Sequence, residues 1–333
     1  MARPRVVSVL VLGGTGWLGR EVAAHAVARG HEVTCLARGQ SGEPPAGASL
    51  MTGDRSRPDA YAGLPDRNWD LVVDVTSQPG YVRSAVRALS DQAGHWVYVS
   101  SCSVYRHNSQ PDADESAEVL PGLTADEATI EQYGEGKVAC EDALRNVLSD
   151  RLLVARPGLI CGYGDRSDRF GYWPWRFDRG ADATVLVPGP LYAPVQLLDV
   201  IDLAGWLVDA GLSGATGTVN AVGEQRRFGD VVTACREATG HRGDVVVADP
   251  DWLIGQGVQP WMGPRSLPVW TPGPEYAGFM ARSRTAAEQL GLPDPPLDRL
   301  VRRALAWERT LNPTRTRRAG LTDDEQQQLL AAL

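Results

Sequence analysis

Two rhythms of apolar and polar positions alternate along the first half of the chain. Val6–Leu12 is a short apolar run, broken only by Ser8, that stops at Gly13 and Gly14. A run with no polar face suits a strand buried on both sides. From Arg20 to Arg29 the apolar residues Val22, Ala23, Ala26 and Val27 recur at helical spacing, and Gly30 ends the pattern. His31–Leu36, Leu71–Val75, Trp96–Ser100 and Leu152–Ala155 repeat the strand rhythm, while Tyr81–Leu89 and Gln132–Val147 repeat the helical one. This alternation predicts an α/β fold: a doubly wound parallel sheet with right-handed crossovers and helices on both faces.

After about residue 160 the pattern loosens. Residues 161–195 and 248–276 are rich in Gly and Pro and hold Trp173, Trp175, Trp252, Trp261 and Trp270. Val195–Leu203 reads as a strand, and Asp230–Thr239 and Leu297–Trp307 read as helices. In the C-terminal segment 321–333, Thr322 and Glu325 have capping-box spacing ahead of a short helix. A packed terminal helix is the plain reading; docking on a partner subunit is the alternative.

Composition narrows the class. With 43% apolar and 22% charged residues in 333, disorder throughout is excluded. A net charge of −8 disfavours sequence-independent nucleic-acid binding, which needs Lys and Arg to neutralise phosphates. Val6–Leu12 is too short to span a bilayer and has no signal-peptide cleavage pattern, so no membrane role is expected. Cys35, Cys102, Cys140, Cys161 and Cys235 are odd in number, widely spaced and free of any CxxC. They suggest neither a disulfide framework nor a zinc site but a reduced, cytoplasmic protein. His25, His31, His95, His107 and His241 lack metal-ligand spacing, so no metal is expected.

Candidate chemistry begins at Gly13-Gly14-Thr15-Gly16-Trp17-Leu18-Gly19, directly after the first strand. Glycines there permit a tight turn, close backbone approach to a pyrophosphate and tight helix packing, with the helix N-terminus facing the phosphates. A second strand follows after about 20 residues, as a dinucleotide fold requires. That strand ends Cys35-Leu36-Ala37-Arg38-Gly39, with no carboxylate to bond a ribose 2′-hydroxyl. Arg38 would instead grip the 2′-phosphate of NADP, with Arg20 as a second contact; solvated arginines are the alternative. In Tyr133-Gly134-Glu135-Gly136-Lys137, positions four apart share a helix face, so the hydroxyl and the ammonium can converge. A nearby ammonium favours a phenolate, which equips a tyrosine to exchange a proton with an alcohol. Ser101, in the strand end Val99–Tyr105, could donate to the same oxygen, or only close a local turn.

Together with Leu153-Val154-Ala155-Arg156-Pro157-Gly158 and Gln196–Ala204, these motifs resemble the extended and atypical extended short-chain dehydrogenase/reductases, the NAD-dependent epimerase/dehydratase family. The segments 261–276 and 297–307 resemble an actinobacterial reductase-like branch. The resemblance implies a dinucleotide-binding domain at 1–160, to which 195–230 returns, and a smaller, mixed substrate-binding lobe from 161–194 and 231–320. It implies Ser101, Tyr133 and Lys137 as a catalytic triad, and Asp54, Thr76 and Pro157 as further cofactor contacts. It also implies a homodimer through the tyrosine helix, whose apolar set is Val138, Ala139, Leu144 and Val147. Ser103, Trp173, Arg176 and Trp261 are candidate substrate residues, with core packing as the alternative for the tryptophans. Asp165 and Asp168 read as turn residues, and Glu135 and Glu141 as a solvated helix face.

The expected function is NADP(H)-dependent hydride transfer to or from a small carbonyl compound or secondary alcohol. Cys102 and Ser103 stand where sugar-nucleotide dehydratases of the family carry Asp-Glu, which argues against elimination. A sugar-nucleotide epimerase is one alternative; a cofactor-sensing or RNA-associated protein on the same fold is the other.

Overall fold

The computed structural model describes residues 6–333. β1 (Ser8–Leu12) turns through glycines into α1 (Trp17–Ala28), followed by β2 (Glu32–Ala37) and β3 (Ala48–Thr52). β4 (Leu71–Asp74), α2 (Pro79–Leu89), β5 (Trp96–Val99), α3 (Tyr133–Leu148) and β6 (Leu152–Ala155) complete the first half. Then come β7 (Leu159–Cys161), α4 (Tyr172–Asp178), β8 (Val185–Pro188), β9 (Pro194–Asp199), α5 (Val200–Leu212) and β10 (Gly217–Val219). β11 (Gln225–Arg227), α6 (Phe228–Thr239), β12 (Val245–Ala248), α7 (Pro250–Gly255) and β13 (Gln259–Trp261) follow. The chain closes with β14 (Gly263–Pro264), β15 (Ser266–Pro268), α8 (Thr285–Gln289), α9 (Leu297–Glu308), β16 (Ala319–Gly320) and α10 (Asp323–Ala332).

The main sheet has seven strands in the order β10-β6-β5-β4-β1-β2-β3, all parallel. Strand order reverses between β1 and β4, and a doubly wound sheet binds its ligand in the crevice beyond the strand ends at such a point. The apolar run of β1 explains itself here. Val9 and Val11 pack with α1 and α5 on one face, while Leu10 and Leu12 pack with α2 and α3 on the other. Val6 is 65% exposed, and the strand starts only at Ser8.

The second half differs from expectation in one respect. The strand expected over Val195–Leu203 ends at Asp199, whose Oδ1 accepts from Ile201 N at 2.8 Å and starts α5. α5 packs against α1, and β10 joins the main sheet, whereas β9 pairs with β7 and β11 in a separate three-stranded sheet. A further core surrounds Phe170, Trp173, Phe228, Leu267 and Leu300. α10 carries the expected capping box and lies on this lobe, with Leu329 buried and Gln326 bonded to Leu186 N and Thr184 O. Leu329 thus packs on its own chain, while Leu333 at the end is 58% exposed. The apolar set of α3 also points inward: Val138, Ala139 and Leu144 are buried, which leaves Val147 alone exposed. No described helix is long and apolar enough to cross a membrane.

Candidate active site

The glycine turn is built for close approach. Gly13 holds φ at +98°, and a Cβ at Gly19 would sit 2.3 Å from Gly13 O, so helix and turn touch through backbone alone. At Gly16 the protein leaves room: the nearest atom to a Cβ would be 3.5 Å away. Gly16 lines two cavities, of about 430 and 200 Å³, that meet at the switch point. No side chain caps α1, and its first-turn residues Trp17, Leu18 and Gly19 lie on the larger cavity's wall. Uncapped N–H groups on a cavity wall are the donor set a pyrophosphate needs, so these residues fit a dinucleotide.

The smaller cavity is lined by Gly13, Thr15, Arg38, Arg55 and Thr76 among others. Arg38 is exposed at the end of β2, while Arg20 turns to Glu43 O. Asp54 does not reach the cavity; its Oδ1 accepts from Ser56 N and Oγ, which holds its carboxyl below the usual range. Its neighbour Arg55 lines the wall instead, through a buried two-bond pair with Asp74 at 2.8 and 2.6 Å. The sequence signal for that pair was Asp74, a lone carboxylate closing an apolar strand.

Ser101, Ser103, Tyr133, Lys137 and Pro157 all line the larger cavity. Tyr133 begins α3 and is 38% exposed; Lys137, one turn on, is 2% exposed. The Lys137 ammonium donates to Thr76 O at 2.8 Å and Val99 O at 2.6 Å, and lies 5.8 Å from the Tyr133 ring centre. Two glycines allow α3 to sit this close. A Cβ at Gly134 would strike Ser103 O at 2.4 Å, and one at Gly136 would strike the Ala128 methyl at 2.7 Å. Ser101 Oγ accepts from Ser103 N and donates to Ser103 Oγ, both at 3.1 Å, so the local turn exists alongside its place on the wall. Cys102 shares the wall, but burial pushes its thiol up to about 12, which leaves it inert at neutral pH.

Behind this wall Glu141 departs from expectation. It is fully buried, not solvated. It accepts from Arg156 at 3.0 and 2.7 Å, from Arg145 at 2.7 Å and from Ser100 Oγ. Burial raises its carboxyl, but the Arg156 bonds and charge outweigh that and hold it below its usual value.

Of the candidate substrate residues, Trp261 and Ser103 lie on the cavity, but Trp173 and Arg176 do not. Trp173 is wholly buried in the second lobe and donates to Pro268 O at 2.8 Å. Arg176 is buried too, held by Asp323 at 2.7 Å and by Leu321 O. Asp168 is buried and paired with Arg315, more than the turn residue expected, whereas Asp165 does close a turn by accepting from Ser167 N. The arginine on the cavity wall is Arg169, which the sequence reading did not single out. Its Nε donates to Ser167 Oγ at 3.2 Å, and its guanidinium lies 5.3 Å from the Trp261 ring centre. Burial lowers its pKa, against the opposing charge of Asp165. Among the described residues no group of His, Cys, Asp and Glu could hold a metal.

A doubly wound sheet with a glycine turn at its switch point, and Ser, Tyr and Lys on the adjoining cavity, has the build of a dinucleotide-dependent enzyme. Residues 9–93 match the model of the NAD dependent epimerase/dehydratase family. A dTDP-6-deoxy-L-talose 4-dehydrogenase (NAD(P)(+)) of Kitasatospora kifunensis is 28% identical over 226 residues, 62% of this chain and 69% of that protein. A Bos taurus epimerase family protein, SDR39U1, is 26% identical over 242 residues, 64% of this chain and 76% of that one. The fold matches that of Bordetella bronchiseptica WbmH, solved with NAD+, at a TM-score of 0.65 and 16% identity, over 92% of this chain and 99% of that one. Over residues 9–93 the chain thus resembles the NAD dependent epimerase/dehydratase family, in keeping with its glycine turn, and its overall fold is that of the solved structures.

Proposed function

We propose that this chain is an NADP(H)-dependent oxidoreductase acting on a carbonyl or secondary alcohol of a small molecule in a cytoplasmic setting. The observation that carries the reading is the single cavity shared by Ser101, Tyr133, Lys137 and the uncapped start of α1. When bound, the nicotinamide supplies or takes the hydride. Ser101 turns its hydroxyl from Ser103 to the substrate oxygen and holds it. Tyr133 gives that oxygen a proton during reduction, or removes one during oxidation. Lys137 has two of its three N–H donors fixed by Thr76 O and Val99 O, which leaves the third for a ribose hydroxyl beside Tyr133. Arg38, on the smaller cavity, takes the 2′-phosphate, and Thr15 and Thr76 line the adenosine side. A homodimer through α2 and α3 belongs to the proposal as a family expectation; a monomer mass by light scattering would remove it.

Tyr133→Phe tests the mechanism, because it keeps the ring and removes only the hydroxyl. Turnover with NADPH should fall by about 10²–10⁴-fold while NADPH affinity stays unchanged. Full activity in the variant refutes the triad. Protein that purifies with stoichiometric cofactor and interconverts sugar epimers without net NADPH loss is an epimerase instead. Tight cofactor binding with no carbonyl consumed points to a sensor.

A further inference from the structure

Arg169, half-buried on the wall of the larger cavity, differs from the arginines that are buried in this chain. Arg55, Arg156 and Arg176 each meet a carboxylate, and Arg282 donates to His107 O and Asn108 Oδ1. Arg169 donates only through Nε, to Ser167 Oγ; among the described residues its two terminal nitrogens have no hydrogen-bond partner and it forms no ion pair. Asp165 acts on it through its field but stays outside ion-pair distance, and the second oxygen of Asp165 is buried without a partner. No carboxylate lines the cavity, and its other cation, Lys137, is already bound to two carbonyls. A half-buried guanidinium whose two terminal nitrogens are free on a cavity wall without carboxylates is placed to receive an oxygen anion arriving there.

The position of this charge limits what the anion is attached to. Tyr133 and Arg169 line the same cavity, so the anion would share it with the reacting oxygen. Trp261 lies alongside the guanidinium and is itself wedged edge-on against Phe279, with ring centres 4.8 Å apart. Its backbone is held at φ +68°, a strained value for an aromatic residue and one that functional sites retain. Trp261, Phe279 and Met280 wall the cavity on that side. At about 430 Å³ the cavity is near the small end of the roughly 300–1,000 Å³ typical of ligand pockets, and it must also take the nicotinamide.

We infer that the substrate is a small oxo acid or its hydroxy counterpart, with a carboxylate or phosphate a few bonds from the reacting carbon, bound by Arg169 against Trp261. This rests on the hydride-transfer reading for the reacting carbon, but the anion site is testable without turnover.

The test is calorimetric binding to the enzyme saturated with NADP+. The probes are short 2-oxo and 3-oxo carboxylic acids, each against its methyl ester, dihydroxyacetone phosphate against dihydroxyacetone, and dTDP alone. At least one acid or phosphate should bind about 10–100-fold more tightly than its neutral partner, the range set by a charge-assisted hydrogen bond. Arg169→Met should abolish that preference and Arg169→Lys should keep part of it, with NADP+ affinity unchanged in both. The carboxylate and phosphate pairs tell the two anion sources apart. Equal binding of every anion and its neutral partner overturns the inference, as does a preference that survives Arg169→Met. Tighter binding of dTDP than of any small anion, lost in Arg169→Met, assigns Arg169 to a nucleotide diphosphate and overturns it too. Tyr133→Phe leaves these affinities in place, so failure of the proton-transfer mechanism is read separately.

Discussion

Single residues carry the most local consequences. Arg38 stands exposed beside the smaller cavity with no acid next to it in β2, so the proposed preference for NADP(H) rests on it. Arg38→Ala should weaken NADPH by about tenfold or more and leave NADH nearly unchanged, as read by titration of each cofactor; equal losses would remove the assignment. Two glycines make a contrasting pair. Gly16→Ala has room in the protein and should melt like the wild type while binding cofactor poorly. Gly19→Ala would drive a methyl into Gly13 O and should lose stability as well. A melting curve and a cofactor titration on each variant distinguish the two. At this scale the glycine turn and the Tyr-Lys pair were legible, because their spacing is local. Arg169 and Arg176 were not separable, since they sit in one Trp-rich stretch of similar composition. What distinguishes them is Asp323, which lies 147 residues beyond Arg176 and neutralises it.

Among the elements, α3 does two jobs on opposite sides. One side presents Tyr133 and Lys137 to the cavity, and the other buries Glu141 against Arg156 and Arg145. Glu141→Gln would leave Arg156, 4% exposed, without its counter-charge. Breaking a buried pair in this way costs about 3–5 kcal/mol, to be read in chemical denaturation. A loss under about 1 kcal/mol would mean that Arg156 finds another partner. Helical periodicity placed α3 within a residue at each end, yet its buried carboxylate was invisible, because Arg156 reaches it from the end of a different element. The α5 boundary failed for a related reason. An apolar run serves a buried strand or a buried helix equally well, and only the cap at Asp199 decides where one becomes the other.

For the molecule as a whole, carboxylates held down by arginines set the acid limit. Glu141 lies in the first half, while Asp168 and Asp323 clamp the second lobe to its C-terminal segments. Burial raises all three, but hydrogen bonds and neighbouring arginine charge bring the net value below the ordinary 4.5 for Glu and 3.8 for Asp. Their folded values are depressed, so their stabilisation is complete above those ordinary values and is lost as pH falls through the folded ones. The melting temperature should therefore hold from neutral pH down to about 5 and then drop steeply. A flat profile to about pH 3 would show that these pairs contribute little. The layout of the sheet was legible from rhythm alone; the second lobe was not, because its short strands pair across long stretches of chain and leave no period to read.

Trp17 and Trp261 stand on the same cavity wall, one from the first turn of α1 and one from the end of β13. Indole emission overlaps the absorption band of a reduced nicotinamide, so a cofactor seated between them would take up their excitation and re-emit it at longer wavelength. The protein thus carries its own optical gauge of occupancy. Trp17→Phe would dim the part of that signal arising beside the phosphates, and Trp261→Phe the part arising beside the reacting carbon.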